Sequence, residues 1–483
     1  MFIANPFSRT CLRSAMSGRG RPRKVPDEAS GVSSAKNTGS TPKKSFRAED
    51  HKVKKAGDDI PRHVEKRTDA QVTRPKHDSR TKKDATTRPS KYDDTRANEQ
   101  TGKSARSAVE EDDHKSSTKG LDHGDGNPDK ILHATLQKLR IKKQERSEST
   151  KCVNEIEDQI IDYIKKSLDW CKEIRVLKTG SHYENVKICE PDEFDVMLTI
   201  PVERVDVHNF GEDGAFYSVA MKRHTQKHPL DRFLNEDKTI KANEMLQEFR
   251  DKVKERKRKG CPAVTLVVNL NGKTISLDFV LGLEVHKSSW PSFTANGFRI
   301  EGWLGKKVKN ELKRKPFYLV PKYEGRGNAE YNGVVAKDTW RISFSHVEKD
   351  IIKNHGASKT CCERGAAGCC RKQCLKLLKY LLLRLKEENP KEVSKFCSYH
   401  AKTTLLHACT ARPTDSEWKT GQLSHCFQLL LQDFENHLRS QNIPNFFIPS
   451  HNLLNSAGLD KKSCEFLAKS TEYQRNNGFP LFR

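Results

Sequence analysis

Four groups of residues in this chain could do chemistry: a Gly180-Ser181 turn, Glu193 and Asp195 flanking Phe194, a lone Asp278 in an apolar run, and a His/Cys cluster beginning at His355. A Gly-Ser turn can hold a phosphate against its backbone N–H groups and the serine hydroxyl. Residues two apart on a strand share a face, so Glu193 and Asp195 project side by side while Phe194 turns into the core. A third carboxylate, Asp278 from a neighbouring strand, completes an oxygen cage for hard divalent cations. Two-metal phosphoryl transfer requires that arrangement. The alternative is an acidic surface strand with a structural Asp.

The cluster reads as His355, five residues, Cys361-Cys362, six residues, then Cys369-Cys370. Zinc takes four nitrogen and sulfur ligands tetrahedrally, and a closed set of this kind is structural rather than catalytic. His355, Cys361, Cys362 and Cys369 are the expected ligands. A polar, glycine-containing loop offers no core in which four free thiols could be buried. The adjacent Lys349, Lys353, Lys359, Arg371, Lys372 and Lys376 suit phosphate contact on a duplex nucleic acid.

The elements that must position these groups are legible in outline. Residues 263–268 and 274–280 flank Asn271-Gly272, a pair favoured in tight primed turns, so Asp278 sits on a hairpin strand among apolar neighbours. A carboxylate there is costly unless paired or metal-bound. Between Ile131 and about Trp170, apolar residues recur at helical spacing, with Arg140, Lys142, Lys143, Arg146 and Lys151 interleaved as a basic face. Beyond about Pro321 the pattern is mostly helical, with helices over 371–387, 422–440 and 459–475.

The 483 residues carry a net charge of +25, which favours a polyanionic partner. Residues 1–130 hold 29 basic and 20 acidic residues and four aromatics, leaving 60 and 44 charged residues for the remainder. A segment so poor in apolar residues is expected to be disordered. Within it, Gly18-Arg19-Gly20-Arg21-Pro22-Arg23-Lys24 is either an AT-hook-like strip for a minor groove or a generic basic, nuclear-import stretch. The basic runs 252–259 and 306–315 are open to the same alternatives: DNA contact, import signal or solubilising face. No run approaches the roughly 18 apolar residues that span a bilayer. Thirteen of fourteen cysteines lie at or beyond Cys152, a pattern of reduced thiols and a metal site rather than a disulfide framework.

Longer strings carry a resemblance. Thr179-Gly180-Ser181, the run 191–196, Ser288-Ser289-Trp290-Pro291, the run 315–322, the run 340–346, the His/Cys loop, Ser398-Tyr399-His400 and the run 473–477 together resemble the cyclic GMP–AMP synthases, the DNA-sensing nucleotidyltransferases of vertebrates. The resemblance spans about 150–483. It implies an α/β (α+β) fold: a polymerase-beta-like nucleotidyltransferase core with a mixed sheet, a helical C-terminal lobe and an inserted zinc thumb. The implied organisation is a basic tail over 1–130 and a bilobal catalytic domain over 131–483. That domain divides into a long helix and sheet lobe over 131–350 and a helical lobe over 351–483, with the thumb at 355–370.

The implied activity is DNA-activated synthesis of cyclic GMP–AMP from ATP and GTP, with mixed 2′–5′/3′–5′ linkage, in innate immune signalling in cytosol and nucleus. Glu193, Asp195 and Asp278 would be catalytic and hold two Mg2+ ions, with Mn2+ as a substitute. Thr179, Gly180, Ser181, Lys322, Lys379 and Ser398 would bind nucleotide, Tyr399 would stack on a base, and Arg341, Ser343 and Ser345 would read guanine. Arg140, Lys143, Lys349, Lys359, Lys372 and Lys376 would contact double-stranded DNA, and the protein would assemble as a homodimer on it. The segment 147–154 departs from the family's string, and the loop 323–339 runs a few residues longer. Competing expectations are a double-stranded-RNA-activated oligoadenylate synthase, against which the His/Cys loop argues, and a catalytically silent nucleic-acid sensor, against which the full carboxylate set argues.

Overall fold

A computed structural model describes residues 127–222, 227–253, 263–270, 272–287, 289–323, 327–357, 361–362 and 368–483. The 18–24 motif, residues 254–259 of one basic run, and Lys359 lie outside them.

Helix α1 (Pro128–Lys138) starts on a local signal: Asn127 accepts the Asp129 N–H and proline fills the first turn. The single long helix expected over 131–170 is instead two. The chain leaves helical geometry after Leu139 and resumes at Lys143 as α2 (Lys143–Ser167), with Lys142 extended. No proline or glycine causes this break. Leu132, Thr135 and Leu139 are buried, and α1 packs on the C-terminal helices. Helix α2 packs on the helix Ala242–Val253 and the short turn Asp169–Cys171, so the two apolar stripes serve different surfaces.

The sheet follows. Its strands are β1 (Arg175–Thr179), β2 (Glu193–Val202), β3 (Val205–Phe210), β4 (Phe216–Met221), β5 (Ala263–Leu270), β6 (Lys273–Val285), β7 (Phe317–Pro321) and β10 (Trp340–Ser343). Helix α3 (Gly180–Tyr183) joins β1 to the β2 approach; α4 (Ala242–Val253) and α5 (Lys306–Lys313) flank later strands. The order is β1-β2-β6-β7-β10-β4-β3, and β5 pairs with β6. Among the described strands only β2 and β6 run parallel; the other pairs are antiparallel, giving the expected mixed sheet. Leu270 faces Lys273 across a two-residue turn in which Gly272 has φ +78°, the left-handed value a primed hairpin needs. The described part of the long loop after β7 holds one 3-10 turn (Ala336–Asp338) and no α-helix. It forms a small hairpin, β8 (Glu330–Tyr331) and β9 (Val334–Val335), before β10.

The chain then turns helical: α6 (Ser345–Lys353), α7 (Arg371–Glu388), α8 (Pro390–Val393), α9 (Ser398–Ala411), α10 (Leu423–Arg439), α11 (Leu453–Ser456) and α12 (Lys461–Asn476). Helix α7 buries Leu375, Leu378, Leu382 and Leu385 at helical spacing, and α10 buries Phe427, Leu430, Leu431 and Phe434. No described helix is long and apolar enough to cross a membrane.

Candidate active site and metal centre

Strand register brings the chemistry together. Thr179 lies opposite Asp195 across β1 and β2, and Asp195 lies opposite Asp278 across β2 and β6. Phe194, between the two β2 carboxylates, is fully buried. Glu193 and Asp195 are half-buried and Asp278 is buried. Thr265 Oγ1 on β5 donates to Asp278 Oδ1 at 2.5 Å.

Gly180 has φ +81°, and a Cβ built there would stand 1.9 Å from Asp195 Oδ2. Glycine is therefore required twice, by backbone conformation and by contact with the carboxylate. Gly180→Ala should cut turnover about a hundredfold or more while leaving the helical core folded. Steady-state rates and far-ultraviolet circular dichroism check this; a variant with near-wild-type turnover would refute the packing argument.

Burial pushes the Asp195 carboxyl well above the usual carboxylate range, and the charges of Glu193 and Asp278 push it further. Burial opposes charge on Glu193 too, but Lys187 outweighs it and holds Glu193 below its ordinary value. The Lys187 ammonium lies 2.9 Å from Glu193 Oε2 and 3.0 Å from Asp192 Oδ1. Three oxygen donors in mutual repulsion are the donor set of a hard divalent cation, so these residues fit magnesium.

Around this row lies a polar network that sequence reasoning missed. Lys402 bridges Glu184 Oε1 at 2.8 Å and Glu348 Oε2 at 3.1 Å, and Tyr399 donates its hydroxyl to Glu348 Oε1 at 3.0 Å. These pairings tie α9 to α6 and to the end of α3. Tyr399 is only 4% exposed in this conformation, which leaves little ring for stacking. Lys379 donates to Val186 O at 2.9 Å; burial and then Lys187 bring its ammonium down to about 7. Ser181 and Ser398 are half-buried in the first turns of α3 and α9, and Lys322 is half-buried just beyond β7.

Arg341 on β10, Ser343 and Ser345 are all buried, the two serine hydroxyls lying 3.4 Å apart. Arg341 pairs with Val320, and Leu319 with Leu283, which puts Arg341 on the same sheet face as Asp278.

The expected cation set divides. Arg140 and Lys143 are exposed at the α1–α2 break. Lys349 is half-buried and donates to Lys178 O at 2.7 Å, so it braces β1. Arg146 is not part of a free basic face: it donates to His182 O at 2.9 Å and to Asn185 Oδ1. Arg371 is likewise no surface cation. It is 1% exposed, pairs with Asp415 at 2.6 Å and lies 5.4 Å from the Trp418 ring centroid. Lys372 and Lys376 on α7 are half-buried; burial and then the Arg146 charge depress the Lys376 ammonium.

The donor atoms of His355, Cys361, Cys362 and Cys369 all lie within 4.8 Å of one another. Cys362 Sγ is 3.8 Å from Cys361 Sγ, 3.8 Å from Cys369 Sγ and 3.6 Å from His355 Nε2. A tetrahedron with metal–sulfur arms of about 2.3 Å has edges of about 3.8 Å, so the spacing is that of a metal set. His355 Nδ1 lies 2.8 Å from Ile352 O, the partner that leaves Nε2 as a ligand lone pair.

Residues 182–354 match the Mab-21 protein nucleotidyltransferase domain and residues 370–473 the Mab-21 protein HhH/H2TH-like domain. The His/Cys cluster occupies the interval between them. The chain is 45% identical to cyclic GMP-AMP synthase of Sus scrofa over 364 residues, 73% of this chain and 72% of the relative. It is 46% identical to cyclic GMP-AMP synthase of Mus musculus over 368 residues, 74% and 71% of the two chains. A cyclic GMP-AMP synthase-like receptor of Magallana gigas is 28% identical over 62% of this chain and 51% of its own. With its nucleotidyltransferase domain and a carboxylate row in register on β2 and β6, this chain belongs to the cyclic GMP–AMP synthase family of nucleotidyltransferases.

Proposed function

We propose that this protein joins ATP and GTP into cyclic GMP–AMP with one 2′–5′ and one 3′–5′ linkage, and that double-stranded DNA switches it on as an innate immune signal in cytosol and nucleus. The observation that carries the reading is the Asp195–Asp278 register beneath Thr179 and Gly180, in a chain sharing 45% identity with a cyclic GMP-AMP synthase. Glu193, Asp195 and Asp278 would hold two magnesium ions, with manganese as a substitute. Such ions, when bound, neutralise charge on the transferring phosphoryl group and favour deprotonation of the attacking hydroxyl. The chain's own contribution is to orient: Gly180 lets the turn close on Asp195, and Thr265 fixes Asp278. Thr179, Ser181, Lys322, Lys379 and Ser398 would bind nucleotide or its phosphates, and Tyr399, buried in this conformation, would turn out to stack on a base. Arg341, Ser343 and Ser345 serve as the guanine-reading set, since an arginine fork matches guanine O6 and N7. The His355–Cys369 set would hold a structural zinc.

Purified protein with magnesium, ATP and GTP, with and without duplex DNA, tests the reading by product mass and linkage-specific nuclease digestion. A linear 2′–5′ oligoadenylate would mark an oligoadenylate synthase instead, and no product a silent sensor.

DNA would bind through Arg140, Lys143, Lys349, Lys359, Lys372 and Lys376, and pair two copies of the protein. Arg146 and the Thr150 hydroxyl, 3.1 Å from His182 Nε2, couple α2 to α3 and so to the Gly180 turn. DNA phosphates bound preferentially to one α2 position would shift that turn's population. Lys372→Glu with Lys376→Glu should lower DNA affinity and reduce the slope of log K against log salt by about two, leaving nucleotide KM unchanged. Fluorescence anisotropy across a salt series measures this, and an unchanged slope removes α7 from the DNA face.

A further inference from the structure

Arg341 does not stand alone. Its Nη2 lies 3.3 Å from His451 Nε2, and His451 Nδ1 lies 2.8 Å from Asp213 Oδ2. Arginine can only donate, so His451 Nε2 must be the acceptor, and Nδ1–H then donates to the carboxylate. The order Asp213–His451–Arg341 therefore fixes one imidazole tautomer. His451 is 1% exposed and Arg341 2%, while Asp213 is half-buried in the β3–β4 connection.

Both outer ends are held. Asp213 Oδ1 accepts the Ala215 N–H at 2.9 Å, and Ser450 Oγ donates to Asp213 O at 2.9 Å. The His451 backbone donates to Ile448 O at 3.0 Å and accepts from Asn445 N–H at 2.8 Å. Gly214 takes φ +75°, and a Cβ there would meet Phe293 Cγ at 2.3 Å, so the turn carrying Asp213 is tightly placed. The Phe216 ring centroid lies 5.8 Å from the Arg341 guanidinium carbon. Burial works against charge on Asp213, but the bonds from His451 and Ala215 hold its carboxyl below the usual range.

We propose that Asp213 and His451 are positioning residues that lock the Arg341 fork in the plane and direction needed to read one purine edge, and so set which nucleotide that subsite accepts. The residues come from two distant segments, the β3–β4 turn and the stretch before α11, which converge on a guanidinium facing the carboxylate side of the sheet. A core histidine with no such role would pack against apolar groups or bond to backbone through its ring. His451 instead uses both ring nitrogens on charged side chains. A fork held at one Nη has lost rotational freedom before nucleotide arrives, and preorganisation of that kind is realised as affinity for the matching base.

The inference rests on Arg341 reading a guanine edge, and the test separates the two. In the full chain, His451→Leu should raise KM for GTP about tenfold, with KM for ATP and kcat at saturating GTP within about twofold, because a buried charged donor loses the acceptor that orients its Nη2. Discrimination of GTP from 2-aminopurine riboside triphosphate, which lacks O6, should narrow together with it. His451→Gln should restore most of the loss, since its amide oxygen can accept from Arg341 while its amide N–H donates to Asp213. Asp213→Ala, nearer the surface, should shift GTP alone in the same direction. Calorimetric GTP affinity supplies the readout independently of turnover.

Equal changes for both nucleotides, an unchanged GTP constant in the leucine variant, or no rescue by glutamine would overturn the relay. Arg341→Ala resolves which claim has failed. If it shifts GTP and His451→Leu does not, only the relay falls; if neither shifts GTP, the base-reading role of Arg341 falls with it.

Discussion

Asp195→Asn should lower nucleotidyl transfer at least about a thousandfold and, in metal-free protein, raise the melting temperature by a few degrees. Both effects have one cause. Asp195 sits in register with Asp278 and two residues from Glu193, and burial together with these two charges drives its carboxyl well above the ordinary range. The sign follows from linkage. Below the usual carboxylate value near 3.9, folded and unfolded chains are both protonated, and Asp195 causes no loss. As pH rises towards its folded value, the unfolded chain ionises first, and folded stability falls across that window. Above that folded value the native state carries this penalty in full. Asparagine removes it and also removes an oxygen of the proposed magnesium set. Magnesium should therefore raise the melting temperature of the wild type more than that of the variant. Scanning calorimetry with and without magnesium, beside product assays, reads both halves; a destabilised variant would contradict the electrostatic account, and a fully active one the site itself. Asp278→Asn should behave differently. Its Oδ1 accepts a hydrogen bond from Thr265, so the variant keeps a local partner and gains less stability for the same loss of turnover.

The carboxylates were readable because each leaves a local trace. Glu193 and Asp195 are two apart around a buried Phe194, and Asp278 stands in the apolar second arm of an Asn-Gly hairpin. Nothing local reveals that β2 and β6 run parallel with Asp195 opposite Asp278, because that register is set by packing between strands about 80 residues apart. The same limit hides Lys402 between Glu184 and Glu348, 218 and 54 positions away, while Lys187, six residues before Glu193, has the composition of any solvated face. Arg371 and Arg146 show the reverse error. Among lysines they look like surface cations, yet one is buried against Trp418 and Asp415 and the other holds α3. The break between α1 and α2 is silent because apolar spacing persists through it while the surfaces being covered change. Asp213 and His451 lie 238 positions apart in turns with no motif, and only the fold makes them neighbours.

The second large effect concerns the proposed zinc. Cys362→Ser, or chelation of the wild type at neutral pH, should release one zinc per chain and lower the melting temperature by several degrees or more. Cys362 Sγ is the shared vertex of the set, within 3.8 Å of both other sulfurs and 3.6 Å from His355 Nε2, so its loss affects every edge it makes. Structural zinc contributes folding free energy directly, on the order of 10 kcal/mol in small zinc-dependent peptides, although a site on a larger core loses only its local share. Here the site joins the end of α6 to the start of α7, where Trp303 Nε1 donates to His355 O at 2.8 Å and Cys369 bridges Lys419. Without metal, burial and thiol–thiol crowding leave Cys361 a reluctant anion, and burial keeps His355 neutral with its proton affinity lowered to about 4. Only a cation makes three converging sulfurs favourable as thiolates, so metal release should be accompanied by proton uptake at the cysteines. Metal analysis by mass spectrometry, with calorimetry of chelated and reconstituted protein, measures this. Because Lys372 and Lys376 follow within two turns on α7, DNA affinity should fall with the metal while unstimulated nucleotide binding persists. A variant that keeps its zinc and its melting temperature would show that Cys362 is not a ligand and that the 3.8 Å spacing arose from thiol packing alone.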